Sequence, residues 1–251
     1  MLFRSRQVDL PRLLAAELLA AENGPVWGRT PVRYGEGVTT DLRTRLGTPT
    51  VRAPLPVVAP LAPLFGEAGL VRGRTVACTG DAALSTALAL SAAATRAGSW
   101  LAVVGVPNLG IAAAIEAGVA VERIVLAQPP RASREWITTV AALVEGFDLL
   151  VVAPLLSLSE HDARRLQSRI LARQSVLVVV GLPAVSGPGA AGGLSSDAHS
   201  VFSCDLDVRA DTVSWSGIER GAAHITQRTV QMHVNGRRCS SPREQTITLP
   251  C

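Results

Sequence analysis

Thr75-Val76-Ala77-Cys78-Thr79-Gly80-Asp81-Ala82-Ala83-Leu84-Ser85-Thr86-Ala87-Leu88-Ala89-Leu90 changes period at its glycine. Before Gly80 it is a short, near-continuous apolar run, the signature of a strand buried on both faces. After Gly80 it becomes an alanine- and leucine-rich stretch that predicts a helix over Ala82–Arg96. The same alternation continues outward. Strands are expected at Trp100–Val106, Arg123–Ala127, Asp148–Leu155 and Ser175–Leu182. Helices are expected at Ile111–Ala117, Arg134–Val144 and Glu160–Arg173. Apolar strands alternating with helices specify an α/β fold, a mostly parallel sheet with helices on both faces.

Beyond residue 200 the period changes to strict alternation. Val201–Val208, Thr212–Gly217, Thr229–Val234 and Thr246–Leu249 read as antiparallel strands along one edge, with Asn235-Gly236 as a hairpin-turn signal. At the other end, Asp9 and Pro11 start a helix whose Leu10, Leu13, Leu14 and Leu18 share one face. An Arg- and Pro-rich connector follows. The expected organisation is therefore a helix and connector over 1–58 and a core with its antiparallel extension over 59–251.

The turn after the first core strand has the length of the phosphate-binding pattern G-x-x-x-x-G-K-[ST], but not its chemistry. Thr86 falls on the magnesium-binding hydroxyl position. Thr79 and Leu84 replace the two glycines, and Ser85 replaces the lysine. Leu84 carries a side chain where backbone must approach phosphate, and Asp81 places a negative charge at the mouth beside Gly80. The fourth strand ends at Ala153, with no carboxylate to hold a metal ion, and Gly105-Val106-Pro107-Asn108 offers no glutamate to orient a water. The whole chain has no lysine; its 24 basic residues are all arginine. Phosphoryl transfer needs a cation on the phosphates and a held magnesium ion, so hydrolysis is not expected. From the turn alone two readings stand: a degenerate phosphate loop, or a strand–turn–helix that never was one. The arginine usage likewise reads as coding bias or as selection for arginine contacts.

A net charge of +4 permits nucleic acid without demanding it, and 48% hydrophobic against 18% charged residues describes an ordered globular chain. Cys78, Cys204, Cys239 and Cys251 form no metal-ligand spacing, and no Ser-His-Asp order or carboxylate pair suggests a hydrolase. No metal and no cofactor is expected. Absence of an export signal or an uninterrupted apolar span leads to a cytoplasmic expectation. His161, Arg165, Arg169 and Arg173 form a stripe on one helix, with Ser157 and Glu160 as its capping box. The stripe reads as an acid-binding face or as a solvated one. Trp100, Trp136 and Trp215 are expected in the core, Trp27 outside it.

After the fifth strand, Gly192-Gly193-Leu194-Ser195-Ser196-Asp197-Ala198-His199 leads into Leu206-Asp207-Val208-Arg209. This order resembles the end of RecA, where a Gly-Gly loop runs through a short helix into a strand ending L-D-[IV]-R; the agreement extends from about Thr75 to Arg209. More closely, the chain resembles the ImuA family of RecA-like mutagenesis proteins in its actinobacterial ImuA-prime form. The residues that carry this are Pro60-Leu61-Ala62-Pro63-Leu64-Phe65, Gly73-Arg74-Thr75-Val76-Ala77 and Leu84-Ser85-Thr86-Ala87-Leu88-Ala89-Leu90. The segments Gly118–Pro129 and Ala163–Arg173 also fit.

The resemblance implies a RecA-like P-loop NTPase core that has lost its ATPase chemistry. It also implies an accessory role in SOS-induced translesion DNA synthesis, a mutasome. The implied partners are a catalytically dead Y-family polymerase homologue (ImuB-like) and an error-prone DnaE-type polymerase. Two alternatives remain: a RecA paralogue that still binds ATP and DNA, and a RecA-fold regulator such as a cell-division inhibitor. From Gln174 to Val208 there is no arginine, while Asp197, Asp205 and Asp207 are present, so this loop is a poor holder of DNA phosphates. Any weak DNA contact is assigned instead to Arg43, Arg45, Arg52, Arg165, Arg169, Arg237 and Arg238. Self-association is assigned to the Leu10/Leu13/Leu14/Leu18 face. Partner docking is assigned to the C-terminal strands, with Arg243.

Overall fold

The computed structural model describes residues 52–250 apart from 66–68, 108, 131, 155–157, 182–200, 220–221, 238 and 240; the side chains of 218–224 and 250 are also left out. The strands are β1 (Thr75–Thr79), β2 (Leu101–Val104), β3 (Ile124–Ala127), β4 (Leu149–Val152), β5 (Val176–Val180), β6 (Leu206–Glu219), β7 (Ala222–Asn235) and β8 (Arg243–Pro250). The helices are α1 (Ala83–Arg96), α2 (Ile111–Glu116), α3 (Ser133–Val144) and α4 (Glu160–Arg173). The strands form one sheet in the order β3-β2-β4-β5-β1-β6-β7-β8. β1 lies between β5 and β6, parallel to both, with Val76 opposite Val178 and Leu206. β6, β7 and β8 then run antiparallel to one another. The expected mostly parallel sheet with an antiparallel C-terminal edge is present.

Each face of the sheet has its own core. On one side Val76, Cys78, Val178 and Val208 pack against α1, with Ala114 of α2 in the same cluster. On the other, Ala102, Val104, Leu150 and Val179 meet Trp136 and Val140 of α3 and Leu166 and Ile170 of α4. α1 is buried almost all round, which its alanines permit because they add little volume between helix and sheet. Its two buried hydroxyls in the second half are satisfied locally. Ser91 Oγ donates to Ala87 O at 2.7 Å, and Thr95 Oγ1 donates to Ala92 O at 3.0 Å while accepting from the Ala120 N–H.

Several sequence readings need correction. Val201–Val208 and Thr212–Gly217 are not two strands. Residues 206–219 form the single strand β6, with irregularities at Thr212/Ser214 and Ser216/Ile218 that absorb the break in alternation. Asn235-Gly236 does not make a two-residue hairpin. Asn235 still pairs with Asp207, and the connection to β8 runs through residues 236–242. The cap of α4 is Ser159, whose hydroxyl accepts from the Asp162 N–H at 3.2 Å; Ser157 lies outside the described residues. Trp136 is buried as expected, but Trp100 and Trp215 are 40% and 47% exposed.

A strap from Arg52 leads into the core. Leu55 bridges Leu70 in antiparallel fashion and is buried with Leu61 and Leu64 of the 3-10 turn Ala59–Leu64. Asp148, just before β4, anchors the strap. It takes Arg72 Nη1 at 2.8 Å and Arg52 Nη2 at 3.2 Å, and accepts from the Trp100 N–H at 3.4 Å. Partial burial pushes its carboxyl up, but the hydrogen bond and charge of Arg72 outweigh this, aided by Trp100 and Arg52. The result lies below the ordinary carboxylate value. A depressed folded-state value gives stability that is present above the unfolded value of about 3.9 and lost as pH falls through the folded one. We therefore expect Asp148→Asn to cost about 2 kcal/mol at neutral pH, because Arg72 loses a charged partner while half-buried. The difference from wild type should close in urea titrations as pH falls through the folded-state value. A gap that persists in acid would mean that the charge is not the cause.

Candidate functional site

The turn after β1 bends at Gly80, at φ 90°; a Cβ there would lie 2.2 Å from the Ala210 carbonyl oxygen of β6. Only glycine allows so close an approach. The Ala82 N–H donates to that same carbonyl at 3.0 Å, so the turn is tied sideways to β6. Asp81 extends the attachment. Its Oδ1 accepts from the Thr212 N–H at 2.7 Å, and its Oδ2 faces Arg228 Nη2 at 3.2 Å.

Nothing in the sequence singles out Arg228, on β7. Its side chain is only 10% exposed, and its donors are distributed inward. Nε donates to Thr212 Oγ1 at 2.7 Å, and Nη1 reaches Ser85 Oγ at 3.4 Å. The guanidinium carbon stands 4.6 Å from the Trp215 ring centroid. Thus Ser85, at the lysine position of the phosphate pattern, contacts an arginine supplied from β7. Partial burial pushes the Asp81 carboxyl up, but the Thr212 hydrogen bonds and the Arg228 charge prevail and hold it below the ordinary value.

The other motif positions carry no catalytic group among the described residues. Thr79 closes β1, and Leu84 packs half-buried against the α1-side core. Thr86 is fully buried, its hydroxyl without a hydrogen-bond partner among the described residues. Ala153, past β4, is buried; it stacks below Gly105, whose built Cβ would come 3.1 Å from the Ala153 carbonyl oxygen and 3.4 Å from Trp136 Nε1. The Trp136 indole thus borders Gly105 from the α3/α4-side core, whereas Ala153 packs in the α1-side core. No group of three or more His, Cys, Asp or Glu side chains suited to a metal ion occurs among the described residues.

The arginines assigned to DNA are scattered. Arg43, Arg45 and Arg238 lie outside the described residues, as do the Leu10, Leu13, Leu14 and Leu18 face, Trp27 and the Gly187–Gly193 loop. Arg52 is engaged with Asp148, and Arg237 donates to Ser203 Oγ. Arg165 and Arg169 are exposed on α4 beside the Arg164–Glu160 pair, while Arg173 pairs with Glu145. Arg243, assigned to a partner, is half-buried and donates to the Leu64 carbonyl at 3.0 Å, tying β8 to the 3-10 turn. Asp205 takes Arg74 Nη1 at 3.1 Å and the Thr75 N–H at 3.1 Å, so its charge secures the entry to β6.

A family model described as the MT3502 N-terminal domain matches residues 63–186, which take in β1–β5 and all four helices but not the strand carrying Arg228. No curated protein sequence matches the chain. A solved structure, of the RadB recombinase, is similar over 76% of this chain and 93% of its own, at a TM-score of 0.50 and 13% identity. At that identity the likeness is one of fold, and the fold is RecA-like.

Proposed function

We propose that this chain is a non-catalytic, RecA-like accessory subunit of an SOS-induced translesion DNA synthesis complex, working by protein contacts in the cytoplasm. The observation that carries the proposal is the closed turn after β1. Asp81 and Arg228 neutralise each other at the place where a triphosphate would need free donors, and the chain has no lysine to supply one. The resemblance to the ImuA-prime form supplies the partner class: a Y-family polymerase homologue and an error-prone DnaE-type polymerase. The RecA-like fold supports the reading at the level of architecture only.

The surface suits contacts better than chemistry. β8 is an edge strand whose Glu244, Thr246 and Thr248 face outward while Ile247 and Leu249 are buried. Such an edge can accept a partner's strand. Two measurements test the reading. Calorimetry with magnesium and ATP should give no heat of binding at millimolar nucleotide. Affinity capture of the tagged full-length chain from DNA-damaged cells, read by mass spectrometry, should return both polymerase classes. Tight magnesium-dependent ATP binding, or capture without either polymerase, would overturn it.

A further inference from the structure

The Asp81–Arg228 pair is asymmetric in a way an ordinary surface ion pair is not. The Arg228 side chain is 10% exposed and fixed by Thr212 Oγ1, Ser85 Oγ and the Trp215 ring, whereas the Asp81 side chain is 55% exposed and sits on a turn. The cation is preset and the anion is the peripheral member. A guanidinium taken so far out of water requires a counter-charge, since burying an unpaired ion costs more than the pair gains. The Thr212 N–H points at the same carboxylate, so a backbone donor and a guanidinium edge converge on one pair of oxygens. Two convergent donors of this kind are what an oxyanion needs. Beside them lies a cavity of about 250 Å³ lined by Ser85, Leu88, Ala113, Glu116, Trp215 and Arg228.

We propose that Arg228 and the Thr212 N–H form an oxyanion site whose resident ligand is the chain's own Asp81 carboxylate, a site that accepts inorganic phosphate once that carboxylate is removed. The inference rests on the proposed function in one respect: the turn takes no nucleotide because its anion position is already filled from within. The charged groups that face the site are consistent with self-occupation. Glu116 stands at the rim of the cavity, and Asp211, paired with Arg209, is on the neighbouring strand. Both repel a second anion while Asp81 remains. Among the described residues Arg228 is the one cation lining the cavity, and Asp81 already satisfies it.

The test is chemical rescue in the full-length chain. Asp81→Ala should lower the thermal midpoint by about 5 °C, and phosphate should recover at least half of that loss, whereas sodium chloride at equal ionic strength should not. Wild type should be indifferent to phosphate. The double variant Asp81→Ala with Arg228→Gln should not respond either. Should Asp81→Ala fail to fold, Asp81→Ser, which also empties the position, is read in the same way, and refolding yield with phosphate against chloride replaces the midpoint. An Asp81 variant that ignores phosphate overturns the inference, and so does a wild type that responds equally. The two ideas fail separately: ATP binding by wild type sinks the proposed function, whereas an unresponsive Asp81 variant in a protein that binds no ATP sinks only the self-filled site.

Discussion

Deletion of residues 229–251 should leave a chain that does not fold. The sequence assigns partner docking to this segment, with Arg243, and weak DNA contact to its Arg237 and Arg238. In the fold it is the second half of β7 and all of β8. Val230 and Met232 are completely buried, and Val234, Ile247 and Leu249 nearly so, all in the same core as β1 and α1. At roughly 1.5–3 kcal/mol for each buried aliphatic side chain, their loss removes on the order of 10 kcal/mol. Whole domains are stable by only about 5–15 kcal/mol. The deletion would also strip β6 of its partner over most of its length. Far-UV dichroism should show lost structure and urea titration no cooperative transition; a folded, cooperative product would refute this account of the edge. Partner docking must therefore be probed by substitutions on the outward face of β8. If the proposed polymerase contact runs through this face, charge insertion at Thr246 or Thr248 should weaken capture of the polymerase homologue while leaving the urea midpoint nearly unchanged, because neither side chain enters the core.

The same residues mark where local sequence signals suffice and where they fail. β1 and α4 coincide with their expected spans, and β5 falls within its own, because continuous Val/Leu runs and a 3.6 period with a clear stop are local signals. The edge is legible as antiparallel but not in its segmentation. Alternation resumes after each irregularity of β6, and a chain read alone cannot distinguish a bulge from a turn. At the candidate site, Ser85, Leu84 and Ala153 are legible as departures from the phosphate-binding pattern; the arginine that reaches Ser85 is not legible. Arg228 meets Ser85 across 143 positions of sequence, and nothing in Thr226–Val230 sets it apart from the other arginines. The usable hint is Asp81, since a carboxylate at the mouth of a buried turn calls for a cation from elsewhere. Trp215 departs from its expected burial for a related reason. Aromatic rings are buried on average, but this one, 47% exposed, covers the buried Arg228 guanidinium from outside.

Trp136 offers the second large effect, and it separates packing from polarity in the α3/α4-side core. It is the largest fully buried side chain, set among Val104, Val152, Leu158 and Leu166. Trp136→Ala should cost about 3–5 kcal/mol, since α3 cannot collapse into the cavity without giving up its contacts with β2 and β4. For a domain of this size that lowers the thermal midpoint by roughly 10 °C. Trp136→Phe asks a different question. The indole Nε1 has no hydrogen-bond partner among the described residues, so phenylalanine keeps most of the packing and discards a buried donor whose isolation carries a penalty of about 1–3 kcal/mol. The lost ring contacts and the relieved donor oppose each other, and Trp136→Phe should fall within about 1 kcal/mol of wild type. Urea midpoints for the two variants, read by far-UV dichroism so that the lost fluorophore does not matter, decide the point. A phenylalanine variant as unstable as the alanine one would show that the indole N–H is bonded after all. The indole would then be a polar anchor beside Gly105, rather than the apolar plug that its surroundings describe.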